Sequence, residues 1–240
     1  MSKAIDALRR QVFDANQTIF ENGLAQFTFG NVSGIDRARG LIAIKPSGVP
    51  YRTMRASMVV VTDLDGNVVQ GKLRASSDLP THVVLYRALE SIGGIVHTHS
   101  HYATAWAQAG KSIPCLGTTH ADYFYGDIPV TDALTHTEIA SDYEANTGHA
   151  IVRALGAHNP LHMPAVLVRN HASFVWGATP ADAVHSAELL ETVARMAMET
   201  LQINASAKAV SRPLLDKHFL RKHGADAYSG QQKRMHPKNE

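Results

Sequence analysis

Apolar residues recur at steps of three and four from Ile5 through Leu8, Val12, Ala15 and Ile19. That spacing lines one face of a helix and predicts an amphipathic α-helix stopped at Asn22-Gly23. Beyond the stop, short runs predict strands at Gln26–Phe29, Leu41–Lys45, Met58–Thr62 and Val68–Gln70. Turn-forming stretches around Gly34, Gly40, Gly48 and Asp65-Gly66-Asn67 separate them, and this half reads as antiparallel. Pro80 opens a helix through Leu89, Gly93-Gly94 ends it, and Ile95–His99 reads as a strand entering a second helix from about Tyr102 to Ala109. Asp78 sits just before the first of these helices. Thr135 and Glu138 have capping-box spacing ahead of a helical stretch, and Ala165–Val168 and Phe174–Trp176 read as strands joined at Asn170-His171. Thr179-Pro180 caps a helix running to about Gln202, and a last helix spans Pro213 to His223, ending at Gly224. Helices before, between and after mostly antiparallel strands predict a three-layer α/β/α fold. No internal repeat or low-complexity linker divides the 240 residues, so one domain is expected.

Composition narrows the class. With 45% hydrophobic and 18% charged residues the chain has the material of a packed soluble protein, which excludes disorder and coiled coil. Its longest apolar runs, such as Met58–Val61, fall far short of the roughly 20 residues a membrane span needs. The start, MSKAIDALRRQ, lacks the apolar core of a signal peptide, and the single cysteine, Cys115, has no intrachain disulfide partner. A cytoplasmic protein is expected. The 23 basic against 21 acidic residues, net +2, give no electrostatic reason to expect nucleic acid or membrane as a partner. Histidine is the outlier, at 14 of 240 residues, and it is both the commonest metal ligand and the neutral-pH acid/base.

In Ile95-Val96-His97-Thr98-His99, side chains at i and i+2 leave a strand on the same face, close enough for two imidazoles to share one metal ion. The bland alternative is a pair of exposed or hydrogen-bonded histidines. His101 falls where the chain turns into a helix and is expected to point elsewhere. His171, at a strand-to-strand turn, and Asp78, in Ser76-Ser77-Asp78, are the candidate third and fourth ligands, and three histidines with a carboxylate suit zinc or another divalent first-row ion such as manganese. A metallo-β-lactamase pattern would need an aspartate and a histidine directly after the pair, where this chain has Ser100-His101.

Three small turns, Gly30-Asn31-Val32-Ser33, Lys45-Pro46-Ser47-Gly48 and Ser76-Ser77, have the amides and hydroxyls to converge on an anion, with Lys45 adding charge. Singly, each reads more readily as an ordinary turn than as an anion site. The stretch Gly117–Gly126, GTTHADYFYG, is dense in titratable groups and carries no helical or strand period. Loops of that kind house acid/base residues, though spacing alone does not choose one.

Taken in order, these segments resemble one family along nearly the whole chain. GNVS at Gly30–Ser33, IKPSG at Ile44–Gly48, SSDLPTH at Ser76–His82, SIGGIVHTHS at Ser91–Ser100 and WAQAG at Trp106–Gly110 are similar to motifs of the class II aldolase/adducin family, nearest its sugar-phosphate 4-epimerases. So are GTTHADYFYG, NHA around His171, FVWG at Phe174–Gly177 and LLDKHFLRKHGA at Leu214–Ala225. The resemblance implies a homotetramer with active sites between adjacent subunits, and a C-terminal helix and tail, about residues 213–240, that complete them. It implies zinc or manganese, one ion per subunit, on Asp78, His97, His99 and His171, and phosphate held by Gly30, Asn31, Ser47, Gly48, Ser76 and Ser77 with Lys45 nearby. Asp122 of a neighbouring subunit is implied as a catalytic acid/base.

Aspartate at position 78, where the family's aldolases tend to carry glutamate, resembles the epimerase pattern. The implied reaction converts L-ribulose 5-phosphate to D-xylulose 5-phosphate by retro-aldol cleavage and re-addition at carbon 4. One departure stands out. Family epimerases usually end in AYYGQ with the second tyrosine as the other acid/base, whereas this chain reads Ala227-Tyr228-Ser229-Gly230-Gln231. Serine is too short and too weak an acid to replace a phenol, which leaves Tyr228 or His218 as substitutes. The rival readings are a zinc-dependent aldolase or epimerase for a related ketose phosphate, and a non-catalytic adducin-like module, against which the intact metal set argues.

Overall fold

The computed structural model describes residues 2–224 and 227–228. Helix α1 (Ser2–Glu21) forms on the face its spacing sets, with Ile5, Leu8, Val12, Ala15 and Ile19 all buried. Strands β1 (Asn31–Asp36), β2 (Leu41–Ile44), β3 (Val60–Asp63) and β4 (Val68–Gln70) follow, with two short 3-10 turns between β2 and β3. Next come α2 (Leu79–Ala88), β5 (Gly94–Thr98), α3 (His101–Ala109), α4 (Thr118–Ala121), α5 (His136–Ala140) and α6 (Tyr143–Leu155). Strands β6 (Ala165–Leu167) and β7 (Ser173–Gly177) precede the long α7 (Pro180–Ile203) and α8 (Arg212–His223).

The strands make one seven-stranded sheet, ordered β4-β3-β2-β1-β5-β7-β6, in which every neighbouring pair is antiparallel. Helices cover both faces, as the α/β/α pattern predicts, and strand alternation on β1 shows how they are divided. Gly34 faces α1 and α7: a Cβ there would sit 2.8 Å from Pro180 and 3.1 Å from Val12, so the glycine lets both helices close on the sheet. Ser33 points the other way, onto His82 and Tyr86 of α2, which packs in turn on α6. The Arg37 guanidinium holds α2 at its far end, donating to the carbonyls of Tyr86, Leu89 and Ile92 at 3.1, 2.7 and 2.8 Å. These include carbonyls that the end of a helix leaves without partners, and the positive charge suits the negative end of the helix dipole.

One strand expectation is corrected. Gln26–Phe29 is not a strand: Phe27 takes a left-handed φ of 54°, and Phe27 and Phe29 stand 73% and 56% exposed. The strand lies further on, through the Asn-Val-Ser-Gly stretch that reads as turn. Its composition misleads because Asn31 and Ser33 are buried polar residues with side-chain partners and Gly34 is a packing choice, not a turn. The capping box is present, with Glu138 N–H donating to Thr135 Oγ1 at 3.2 Å and Thr135 N–H to Glu138 Oε2 at 2.8 Å, but it opens only the short α5. Ser141 breaks the path with φ −106° and ψ −127°, and α6 begins afresh at Tyr143.

Candidate active site

Strand β5 sits between β1 and β7, and its register places His97 opposite Asn31 on one side and Phe174 on the other. Alternation then sends His97 and His99 out together where the strand ends. His171 arrives from the β6–β7 connection, a tight turn in which Asn170 takes φ 60° and Val168 N–H donates to the Ala172 carbonyl at 2.7 Å. The three rings form a near-equilateral triangle, with centroids 5.0, 4.9 and 5.0 Å apart, and one nitrogen of each lies within 4.8 Å of the others. His97 Nδ1 meets the Ser173 carbonyl at 2.9 Å; a carbonyl only accepts, so Nδ1 carries the proton and Nε2 is the free ligand atom. His97 also stacks on Phe174, 4.2 Å between centroids.

The electrostatics match a cation receptor. Burial, aided by His97 and His99, pushes the His171 imidazole down to about 4, and burial lowers His99 as well. Neutral imidazoles are what a metal requires. His171 Nδ1 is buried with no hydrogen-bond partner among the described residues. Asp78, at the mouth of α2, lines the same cleft but stands outside the tight triangle. Burial opposes its ionisation, yet His97, His82 and the Asn31 amide together hold the carboxyl below its ordinary value. Asn31 Nδ2 donates to Asp78 Oδ2 at 2.7 Å and to Ser76 Oγ at 3.1 Å. The donor set therefore fits a divalent first-row ion.

Gly30, Asn31, Lys45, Ser47, Gly48, Ser76 and Ser77 all line this cleft, which encloses about 390 Å³. Backbone pairing brings the turns together: Ser47 N–H donates to Arg74 O and Ser76 N–H to Lys45 O, each at 3.0 Å. Gly30 is required where it stands, because φ is 76° and a Cβ would meet the His97 carbonyl at 2.8 Å. Lys45 is 2% exposed, its Nζ 3.4 Å from the Thr28 carbonyl and 4.8 Å over the Tyr51 ring, and burial lowers it to about 8. Thr28 and Phe29 also line the cleft, and sequence reasoning missed both. His101 is exposed, edge-on to Tyr102 and outside the triangle, as expected.

Asp122 is elsewhere. It ends α4 and is absent from the cleft lining. Its Oδ1 accepts from Arg221 and meets His218 Nδ1 at 3.0 Å, its Oδ2 accepts from Arg221 at 2.9 Å, and Lys222 Nζ lies 3.6 Å away. Burial again opposes ionisation, but the Arg221 and His218 hydrogen bonds and the Lys222 charge hold the carboxyl below its ordinary value. The sequence signal for this clamp was the i, i+3, i+4 spacing of His218, Arg221 and Lys222 on one helix, which went unread. Tyr228 is 64% exposed, with Lys217 Nζ 5.3 Å over its ring; Ser229 and the tail beyond it lie outside the described residues.

Comparison with known proteins adds to this geometry. Residues 10–198 match the profile of the Class II Aldolase and Adducin N-terminal domain. The chain is 55% identical over 224 residues to the L-ribulose-5-phosphate 4-epimerase UlaF of Salmonella paratyphi B, spanning 93% of this chain and 98% of that one. The UlaF protein of Salmonella typhi is 55% identical over the same extent. Among solved structures, an L-fuculose 1-phosphate aldolase superposes with a TM-score of 0.76 at 24% identity, over 88% of this chain and 94% of its own. The aldolase from Glaciozyma antarctica PI12 gives 0.74 at 19%, over 89% and 80%. At those identities the structures speak for the fold.

Proposed function

This chain belongs to the class II aldolase and adducin family, and from that premise we propose that it is an L-ribulose-5-phosphate 4-epimerase interconverting L-ribulose 5-phosphate and D-xylulose 5-phosphate. The observation that carries the reading is the convergence of the histidine triangle and the anion-binding turns in one cleft, in a chain 55% identical to curated epimerases of that name. His97, His99 and His171, with Asp78 beside them, would hold a divalent ion, zinc or manganese, which when bound supplies positive charge to the ketose oxygens.

The protein's own groups do the rest. Amides and hydroxyls of Gly30, Asn31, Ser47, Gly48, Ser76 and Ser77 hold the phosphate, and Lys45 adds charge. A base takes the proton from the carbon 4 hydroxyl, the bond between carbons 3 and 4 breaks, and its electron pair moves into an enediolate. The resulting glycolaldehyde phosphate stays tethered by its phosphate, turns its other face, and is attacked again. An acid then returns a proton to the inverted carbon 4 oxygen. We assign Asp122 to one of these proton transfers. Because it does not line the cleft of its own chain, we read it as serving the cleft of an adjacent subunit in a homotetramer, with α8 and the tail of this single domain completing that neighbour's site. His218 is bonded to Asp122 and works with it, which leaves the exposed Tyr228 as the second proton-transfer group. A cytoplasmic location agrees with small sugar-phosphate chemistry and with the absence, among described helices, of any long and apolar enough to cross a membrane.

Carbon-13 NMR of L-ribulose 5-phosphate with zinc-loaded or manganese-loaded protein tests the reading, which expects D-xylulose 5-phosphate. Dihydroxyacetone and glycolaldehyde phosphate alone would point to an aldolase. No turnover in a protein that binds no metal would leave a non-catalytic module. Unchanged turnover in Tyr228→Phe would remove that residue from the mechanism.

A further inference from the structure

Asp78, His82 and Tyr86 follow one another at intervals of four along α2 and so share one face. Opposite them, Asn31 and Ser33 share one face of β1. The two faces meet as a buried polar seam: Asn31 Nδ2 donates to Asp78 at 2.7 Å, Ser33 Oγ lies 2.7 Å from His82 Nδ1, and Ser33 Oγ lies 2.8 Å from Tyr86 OH. Ser33 and His82 are wholly buried, and Asn31 and Tyr86 nearly so. His82 Nε2 has no hydrogen-bond partner among the described residues. Nothing in the proposed chemistry uses His82, yet it stands four residues from Asp78, and its N–H donates to the Asp78 carbonyl at 3.1 Å. On its other side its ring meets Phe174 edge-on at 5.9 Å, and Phe174 is the ring stacked on His97.

Apolar packing would hold a helix on a sheet without this seam, and buried polar groups are costly when any atom is left unpaired. What a hydrogen-bonded seam adds is register. Apolar contacts tolerate small slides, whereas three hydrogen bonds spaced along two elements admit only one alignment. We propose that His82 is a positioning residue for the metal centre: through Ser33, which Tyr86 also meets, it fixes the register of α2 on β1, and so sets the Asp78 carboxylate against the three histidines. This rests on the reading of Asp78, His97, His99 and His171 as the metal site.

The test is zinc affinity of the full-length, metal-stripped chain, measured by chelator competition. His82→Phe keeps a ring and removes the bond to Ser33; Ser33→Ala removes the same bond from the strand side with almost no change of volume. Either substitution is expected to weaken zinc by about tenfold, the scale typical of losing a partner that orients a ligand. His82→Asn, whose amide nitrogen falls near the old Nδ1, is expected to recover much of it. In an Asp78→Asn background the His82 and Ser33 substitutions are expected to cost no further affinity, because they act through a carboxylate already gone. Zinc affinity unchanged in Ser33→Ala and in a folded His82→Phe would overturn the proposal. So would losses that add in full to that of Asp78→Asn, which is the pattern of general destabilisation. If Asp78→Asn itself left zinc binding intact, the site reading would fall first and take the proposal with it.

Discussion

The histidine cleft and the Asp122 cluster are built on opposite electrostatics. In the cleft, burial drives protons off His99 and His171, and the Asp78 carboxylate stays charged beside them. At Asp122, an arginine, a lysine and a histidine crowd one carboxylate, and the pairing is satisfied within the chain. The cleft is held by sheet backbone, whose register cannot slip by one residue without turning every side chain over. The Asp122 cluster hangs between two helix ends, α4 and α8, and depends on charge compensation. One region is a preorganised set of imidazole donors beside a carboxylate. The other is a carboxylate compensated by cations of its own chain.

Substitutions that affect one region and spare the other sharpen that contrast. The largest effect is expected from replacing His97 and His99 together by Ala: metal content falls to background by elemental analysis, and kcat/KM falls on the order of a thousandfold, the equivalent of several kcal/mol of lost charge stabilisation. Metal retained at native stoichiometry would break the assignment of the triangle. Asp122→Asn should lower kcat by roughly a hundredfold to ten-thousandfold, the range for a general acid or base, with bound metal unchanged. Metal lost alongside activity would mean that the two regions are one site.

Smaller effects come from pH. The Arg221 contacts keep the Asp122 pKa depressed, so they stabilise the fold above the ordinary carboxylate value, and that contribution is lost as pH falls through the depressed one. Removing the clamp with Arg221→Gln raises the Asp122 pKa. The acid limb of the turnover profile should therefore move to higher pH, and a limb that stays put would separate Arg221 from the reaction. For the buried histidines the charge preference runs the other way, because burial favours the neutral form. His82, His120 and His171 are lowered from 6.5 to about 3, 4 and 4 by burial, so between those values and 6.5 the unfolded chain binds more protons than the folded one. Stability of the metal-free protein is full above pH 6.5 and declines below it. Urea midpoints at pH 7 and pH 5 check this, and equal midpoints would contradict the burial of these rings. The smallest effect belongs to Thr135→Ala, which belongs to neither region and should cost about 1 kcal/mol of stability through its lost cap and leave turnover alone.

Much of the cleft was legible because its histidines follow short-range rules. The spacing of His97 and His99 puts them on one face of any strand, and Asn170-His171 between two apolar runs marks a turn whatever the rest of the chain does. The amphipathic α1 and the capped α7 were readable for the same reason: periodicity and caps are local. Strand β1 was not, since its polar and glycine residues are explained by partners on α1, α2 and α7 that lie far away in sequence. The Asp122 clamp escaped for a similar reason, as Arg221 is 99 positions from the carboxylate it holds.

By itself, then, the chain's order of residues determined which groups carry chemistry and which short segments present them, because side-chain direction within a helix or strand follows from its repeat. Tertiary structure alone decided that Asn31, Asp78, His97 and His171 share one cleft while Asp122 stands outside its lining. Distances between such residues depend on sheet order and on how α2 seats on β1. Those are set by packing and buried hydrogen bonds among elements that do not adjoin in sequence.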